Sequence, residues 1–171
     1  MTAAAPRPPL KPMDQALAEL LAQAQPLEGT DTVSTLDGDG RVLAQDLRAA
    51  LQVPPLDNSA MDGYALRCAD WVSPEQALPI SQRIAAGQAG APLQAGTVAR
   101  IFTGAPLPAG ADTIVAQEEA TVLPDGQVRL AVQPRLGDWV RRAGEDIARG
   151  AVLLSAGTRL GPAELGLVAS I

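Results

Sequence analysis

The sequence predicts an α+β protein: a helix-and-strand base formed by both chain ends, carrying an inserted, mainly antiparallel β-domain. Three observations point there. Sixteen glycines and fifteen prolines in 171 residues, without a period, call for many tight turns between short strands. Helical spacing is confined to the two ends. Between them, apolar residues come in short runs, several of them alternating. The expected division is a base domain of residues 1–52 with 145–171, and a β-domain of residues 53–144.

Taken in order, Met1–Pro9 reads as a disordered, proline-stiffened lead-in with no hydrophobic signal core. Apolar residues at 13, 17, 20, 21 and 24 then give one buried stripe on a helix over Met13–Gln25, started by Pro12 and ended by Pro26. Thr32–Leu36 is β-branched enough for a short strand. Asp37-Gly38-Asp39-Gly40 opens like a calcium loop but fails as one, because Arg41 and Val42 hold its fifth and sixth positions. A capped turn is the simpler reading. Asp46–Val53 reads as extended and leads into Pro54-Pro55.

Strands follow at Leu78–Ala85, Val98–Thr103 and Thr113–Gln117, with loops at Ala69–Gln76, Gly87–Gly96 and Gly104–Asp112. The clearest hairpin runs from Thr121-Val122-Leu123 through Pro124-Asp125-Gly126 to Val128–Val132, with Val128, Leu130 and Val132 on one face. Leu136–Val140 reads as another strand and Ala151–Leu154 as a short apolar one. A last helix opens at Pro162, where Leu160 can staple to Leu165. The apolar end at Ile171 reads as a cut.

Composition narrows the function classes. Hydrophobic residues make up 47% of the chain, but only Tyr64, Trp71, Phe102 and Trp139 are aromatic, so the core is aliphatic. The formal charge of −6 argues against a nucleic-acid partner. No apolar run reaches membrane-spanning length. With no histidine there is no histidine base, ligand or Ser-His-Asp triad. Cys68 is the single cysteine; it suits a reducing cytoplasm and reads as a buried or idle thiol.

The densest polar stretch is Pro54-Pro55-Leu56-Asp57-Asn58-Ser59-Ala60-Met61-Asp62-Gly63-Tyr64. Asn58 or Ser59 could cap a single helical turn that Gly63 ends with a positive φ, leaving Asp62 at a chain reversal. Polar groups also stand at the strand ends Thr103–Pro106, Gln117–Glu119 and Arg141–Asp146. Singly these are a turn hydroxyl, solvated carboxylates and surface ion pairs. Jointly they suit an oxyanion substrate, with arginine forks for the anion and carboxylates for a hard divalent cation. A compact carboxylate cluster for a metal hydrolase is not visible.

Asp57-Asn58-Ser59-Ala60-Met61-Asp62-Gly63-Tyr64-Ala65 resembles the signature of the molybdopterin molybdenumtransferases, the MoeA and gephyrin E-domain family. Arg100–Pro106 with Gly110-Ala111-Asp112 and Gln117-Glu118 resembles its second motif. Val140-Arg141-Arg142, Gly144–Ile147 and Gly157–Leu160 resemble its third. The resemblance implies a transferase of molybdenum cofactor biosynthesis. Its members insert molybdenum from molybdate into adenylylated molybdopterin, release AMP and use a divalent cation, Mg2+. It implies an elongated cytoplasmic homodimer in which this chain corresponds to the first two domains. The pterin-binding and C-terminal domains would be missing, leaving the chain inactive alone. By motif, Asp62 and Thr103 are the implied catalytic residues, with Asp62 also the candidate metal ligand. Asn58, Ser59, Arg141 and Arg142 are implied to bind substrate or anion, with Gly63, Gly104, Glu118 and Asp146 in support. The alternative is a non-catalytic dimerisation and partner-binding module of the same architecture. The expected geometry is that Asp62 and Thr103 become neighbours on one rim.

Overall fold

A computed structural model describes residues 10–25 and 28–171; the expected lead-in over residues 1–9 and the helix stop at Pro26 lie outside the described residues. Residues 1–34 and 35–171 form two units, each taken by itself.

In the first unit the expected helix forms as α1 (Met13–Ala22), with Pro12 as its N-cap and Gln23 closing its C-terminus. The expectation of a buried stripe is corrected. Within this chain Met13, Leu17, Leu20 and Leu21 are exposed, at 81, 51, 69 and 62%. The helix rests on local hydrogen bonds and on side-chain pairs such as Lys11 with Glu19. The strand expected over Thr32–Leu36 does not form either: residues 32–34 lie outside any strand or helix, and Thr35–Asp37 is a 3-10 turn.

The second unit holds ten strands among the described residues: β1 (Leu47–Arg48), β2 (Asn58–Ser59), β3 (Gly63–Leu66), β4 (Ala77–Ile84), β5 (Val98–Ile101), β6 (Thr113–Ala116), β7 (Ala120–Val122), β8 (Gln127–Leu130), β9 (Val140–Arg141) and β10 (Val152–Leu154). A six-stranded sheet runs β6-β3-β5-β4-β8-β7, antiparallel throughout except for β4 beside β5. The molecule is thus mixed α and β, mostly sheet. The first segment of this unit meets its last. β1 pairs with β10, Val42 bridges Arg159, and α2 (Pro162–Ala169) packs against the 3-10 turn at Thr35–Asp37. Pro162 takes the first helical turn of α2 as expected.

Alternation along the strands builds a core on each face of the sheet. Tyr64, Leu66, Leu78, Val98, Val115, Val128 and Leu130 pack on one side. Ala65, Ile84, Ala99, Ile101, Ala105 and Ile114 pack on the other. A register shift in β4 between Ile80 and Gln82 changes its parity, so Ile80 serves the first core and Ile84 the second. The same shift sets Arg83 beside Arg100.

Two local expectations are corrected. Leu136–Val140 is mostly turn, with Trp139 at φ 55 and only Val140–Arg141 paired; the Trp139 carbonyl accepts from the Ala60 N–H at 2.9 Å instead of joining a ladder. No helical turn forms over Asp57–Tyr64. That stretch is a short strand, a bend and a second strand, and Gly63 is not left-handed. A Cβ there would meet the Val115 carbonyl oxygen at 2.2 Å, so glycine is required by the close approach of β6.

Candidate functional site

The sheet brings the polar strand ends together by register. Gly63 faces Ile101 on β5 and Ala116 on β6. Asp62 therefore lies one step beyond the last pair on both sides. Its carbonyl accepts from the Gln117 N–H at 2.9 Å. Its carboxylate reaches across to the exit of β5, where Oδ1 accepts from the Thr103 N–H at 2.9 Å and from the Thr103 hydroxyl at 2.8 Å. Asp62 is half-buried and Thr103 exposed, so the pair lies on an accessible rim. Both hydrogen bonds favour the ionised form, and the Thr103 N–H, the stronger of the two, with the hydroxyl behind it, holds the Asp62 carboxyl below the usual carboxylate range. Gly104 follows with φ 79, which turns the chain away from β5, and its N–H donates to the Ser59 carbonyl at 2.8 Å.

Ser59 and Asn58 form the frame beneath this rim. The Ser59 N–H donates to Ala105, and β2 pairs with β9 as Asn58 to Arg141 and Ser59 to Val140. Ser59 is 1% exposed and its hydroxyl donates to the Met61 carbonyl, while the Asn58 amide donates to Leu56. The Ser59 hydroxyl is thus engaged within its own bend.

Arg141 and Arg142 are also committed. Arg141 forks onto Glu145 at 2.6 Å and onto both oxygens of Asp146 at 2.7 and 2.6 Å. Asp146 and then Glu145 raise its pKa further. Arg142 donates to Asp57 at 2.6 Å, and the Ala143 N–H donates to the other Asp57 oxygen at 2.8 Å. That N–H, with Arg142, holds Asp57 below the usual range against a partial desolvation. Carboxylates thus engage Nε and Nη2 of Arg141 and Nη1 of Arg142. Glu118 is exposed and accepts from Gln117 at 3.2 Å.

Among the described residues, no group of three or more His, Cys, Asp or Glu side chains could hold a metal ion. Asp62 is a lone carboxylate with one oxygen already accepting twice. The residues present do not make a magnesium cage.

A central part of the rim was not singled out by sequence reasoning. Arg100 donates to the Gly63 carbonyl at 2.9 Å and to Gln117 Oε1 at 2.6 Å. It also stands 5.3 Å from the Tyr64 ring and 4.5 Å from the Phe102 ring. It ties the segments bearing Asp62, Thr103 and Glu118 to one another. The signal was available: a charged residue inside a strand whose same-face neighbour Phe102 is one of four aromatic residues.

Comparison with known proteins agrees with the motif resemblance. The family model described as "MoeA N-terminal region (domain I and II)" matches residues 11–171. The chain is 41% identical over 160 residues to molybdopterin molybdenumtransferase 2 of Mycobacterium tuberculosis, covering 91% of this chain and 38% of that protein. It is 36% identical over 165 residues to the molybdopterin molybdenumtransferase of Haemophilus influenzae, covering 93% and 39%. The crystal structure of the molybdopterin biosynthesis MoeA protein of Pyrococcus horikoshii superposes with a TM-score of 0.85 at 29% identity, covering 95% of this chain and 44% of that one. The chain spans about two-fifths of the length of the curated relatives it matches.

Proposed function

The chain belongs to the MoeA N-terminal family, and on that premise we propose that it supplies one wall of the active site of a molybdopterin molybdenumtransferase. The reaction is insertion of molybdenum from molybdate into adenylylated molybdopterin, with release of AMP, in molybdenum cofactor biosynthesis. The observation that carries this reading is the double hydrogen bond from Thr103 to Asp62 on an accessible rim. A turn built only to reverse the chain has no need of an ionised carboxylate held at its outer edge.

The geometry also supports a role for each partner. A carboxyl held below its usual range is a weak base at neutral pH, so Asp62 orients and accepts hydrogen bonds rather than abstracting a proton. The Thr103 hydroxyl proton is committed to Asp62, so Thr103 fixes the carboxylate and turns its oxygen lone pairs outward. Asn58, Ser59, Gly63 and Gly104 set the backbone beneath, and Arg141, Arg142 and Asp146 brace the neighbouring loop. Among the described residues Asp62 stands in no cluster of three ligating side chains, so Mg2+ is given no step in this reading.

The division of the chain that fits this role is the base of residues 1–52 with 145–171 and the β-domain of residues 53–144. The pterin- and nucleotide-binding surface would come from the part of the relatives' length that this chain does not cover. The 171-residue chain assayed alone is expected to show no turnover. A second copy of the chain is the proposed cover for the exposed apolar stripe of α1, and sedimentation would show a dimer that Leu17→Glu with Leu21→Glu reduces to monomer. A cytoplasmic location fits a lone unpaired cysteine, and no helix among the described residues is long and apolar enough to cross a membrane.

The test is Asp62→Asn in the complete enzyme. Asparagine keeps an oxygen to accept from the Thr103 N–H but loses the charge. Turnover is expected to fall by about a hundredfold or more with the fold unchanged; wild-type turnover removes Asp62 from the mechanism.

A further inference from the structure

Arg83 and Arg100 are register partners on the parallel strands β4 and β5, so their side chains leave the same face of the sheet at the same level. Like charges placed directly opposite in a sheet repel. The molecule keeps the arrangement nonetheless, and it does so through the shift in β4 that turns Arg83 to this face. Phe102, two residues beyond Arg100 on that face, holds both groups: its ring centre is 4.6 Å from the Arg83 guanidinium carbon and 4.5 Å from that of Arg100.

Neither guanidinium is neutralised. The hydrogen bonds of Arg100 go to two backbone carbonyls and the Gln117 amide oxygen. Arg83 is exposed, and among the described residues it has the Phe102 ring and no hydrogen-bond or carboxylate partner. Asp62 is the acid that feels Arg100, through space, and one of its oxygens is engaged twice by Thr103. In a chain with 19 acids and 13 bases, a carboxylate could have been set beside this pair as one is beside Arg67, Arg141 and Arg142.

We propose that Arg83 and Arg100, fixed on the Phe102 ring, form the seat of a doubly charged tetrahedral oxyanion beside the Asp62–Thr103 rim. Guanidinium forks match the paired oxygens of such an ion. The ion offsets the repulsion between the two facing guanidinium groups. Arg100 is locked by its three acceptors, and the unbonded Arg83 side chain adjusts to close on the ion. The seat deepens the transferase reading, on which the choice of candidate ions rests: free molybdate, or the phosphate of an adenylate.

The test uses the 171-residue chain and direct binding, so it does not depend on turnover. Molybdate, inorganic phosphate and AMP are titrated separately while the Arg Nε–H resonances are followed by 15N NMR. The Arg83 and Arg100 signals are expected to shift and saturate with at least one of the three. Tighter molybdate binding marks the free oxyanion as occupant, and tighter AMP binding marks a nucleotide phosphate. Arg83→Gln should weaken binding at least tenfold, while its thermal midpoint without anion does not fall, because a repulsion has been removed. Arg149→Gln should bind as wild type. No saturable shift with any of the three overturns the seat. So does a lower midpoint with unchanged affinity, which marks Arg83 as structural only. Either failure leaves the Asp62 test standing, and an inactive role for Asp62 leaves anion binding standing.

Discussion

Replacing Gly63 by alanine should break the link between the sheet and the candidate site. The added Cβ would stand 2.2 Å from the Val115 oxygen, 3.0 Å from the Val115 carbonyl carbon and 3.2 Å from the Ala116 Cα. All three are backbone atoms of the neighbouring strand, so no rotamer change relieves the contact. β3 must move from β6 by roughly 1 Å to restore ordinary contact. That shift stretches the Gln117 N–H to Asp62 carbonyl bond, now 2.9 Å, and tilts the carboxylate on the same residue away from Thr103. Overpacking of this kind costs about 1–3 kcal/mol, and a lost hydrogen bond adds about 1 kcal/mol. Urea unfolding of the chain should show a loss of about 3 kcal/mol, and turnover of the complete enzyme should drop with it. The control is Gly96→Ala, where φ is 71 but nothing lies within 4 Å of the new Cβ, so only backbone strain of about 1 kcal/mol applies. If Gly63→Ala costs no more than Gly96→Ala, the reasoning from close approach is wrong.

Two further outcomes can be measured on the chain itself. Asp57 and Asp62 are both depressed in the folded state, first by the N–H of Ala143 and of Thr103 respectively. Their contribution to stability is therefore present above the ordinary carboxylate range and is lost as pH falls through the folded values. A 13C titration should find both carboxyls ionising below unperturbed aspartate, and ordinary values for both would refute these hydrogen bonds. Cys68 is half-buried, donates to the Pro134 carbonyl at 3.2 Å, and has its pKa raised by burial and then by Asp112 and Asp138. Its alkylation near pH 8 should be slower than that of a free thiol, and a rate equal to free cysteine contradicts an idle thiol.

Much of the sheet was legible because local pattern and tertiary demand agree there. The Pro124-Asp125-Gly126 turn joins two runs whose alternation matches the buried face, and the hairpin forms as β7 and β8. Pro162 likewise starts α2. The misses came where long-range contact decides. Nothing near Gly63 in sequence says that Val115 passes within 2.2 Å, so a close approach read as a turn. The stripe of α1 has perfect helical spacing, and spacing alone does not say what covers it. Thr32–Leu36 has strand composition, but its last two residues enter the 3-10 turn over Thr35–Asp37. At the site, the meeting of Asp62 with Thr103 was legible from motif order. The neutralisation of Arg141 and Arg142 was not, because Asp57 lies 85 residues from Arg142.

The central claim is that Asp62 and Thr103 work as one unit, and a double-mutant cycle on turnover of the complete enzyme tests it most directly. Asp62→Ala, Thr103→Ala and the pair together are compared with wild type, with Thr103→Ser as the variant that keeps the hydroxyl. The double variant is expected to lose little more than Asp62→Ala alone, and Thr103→Ser to retain most activity. Losses that simply multiply would show two independent residues and contradict the account.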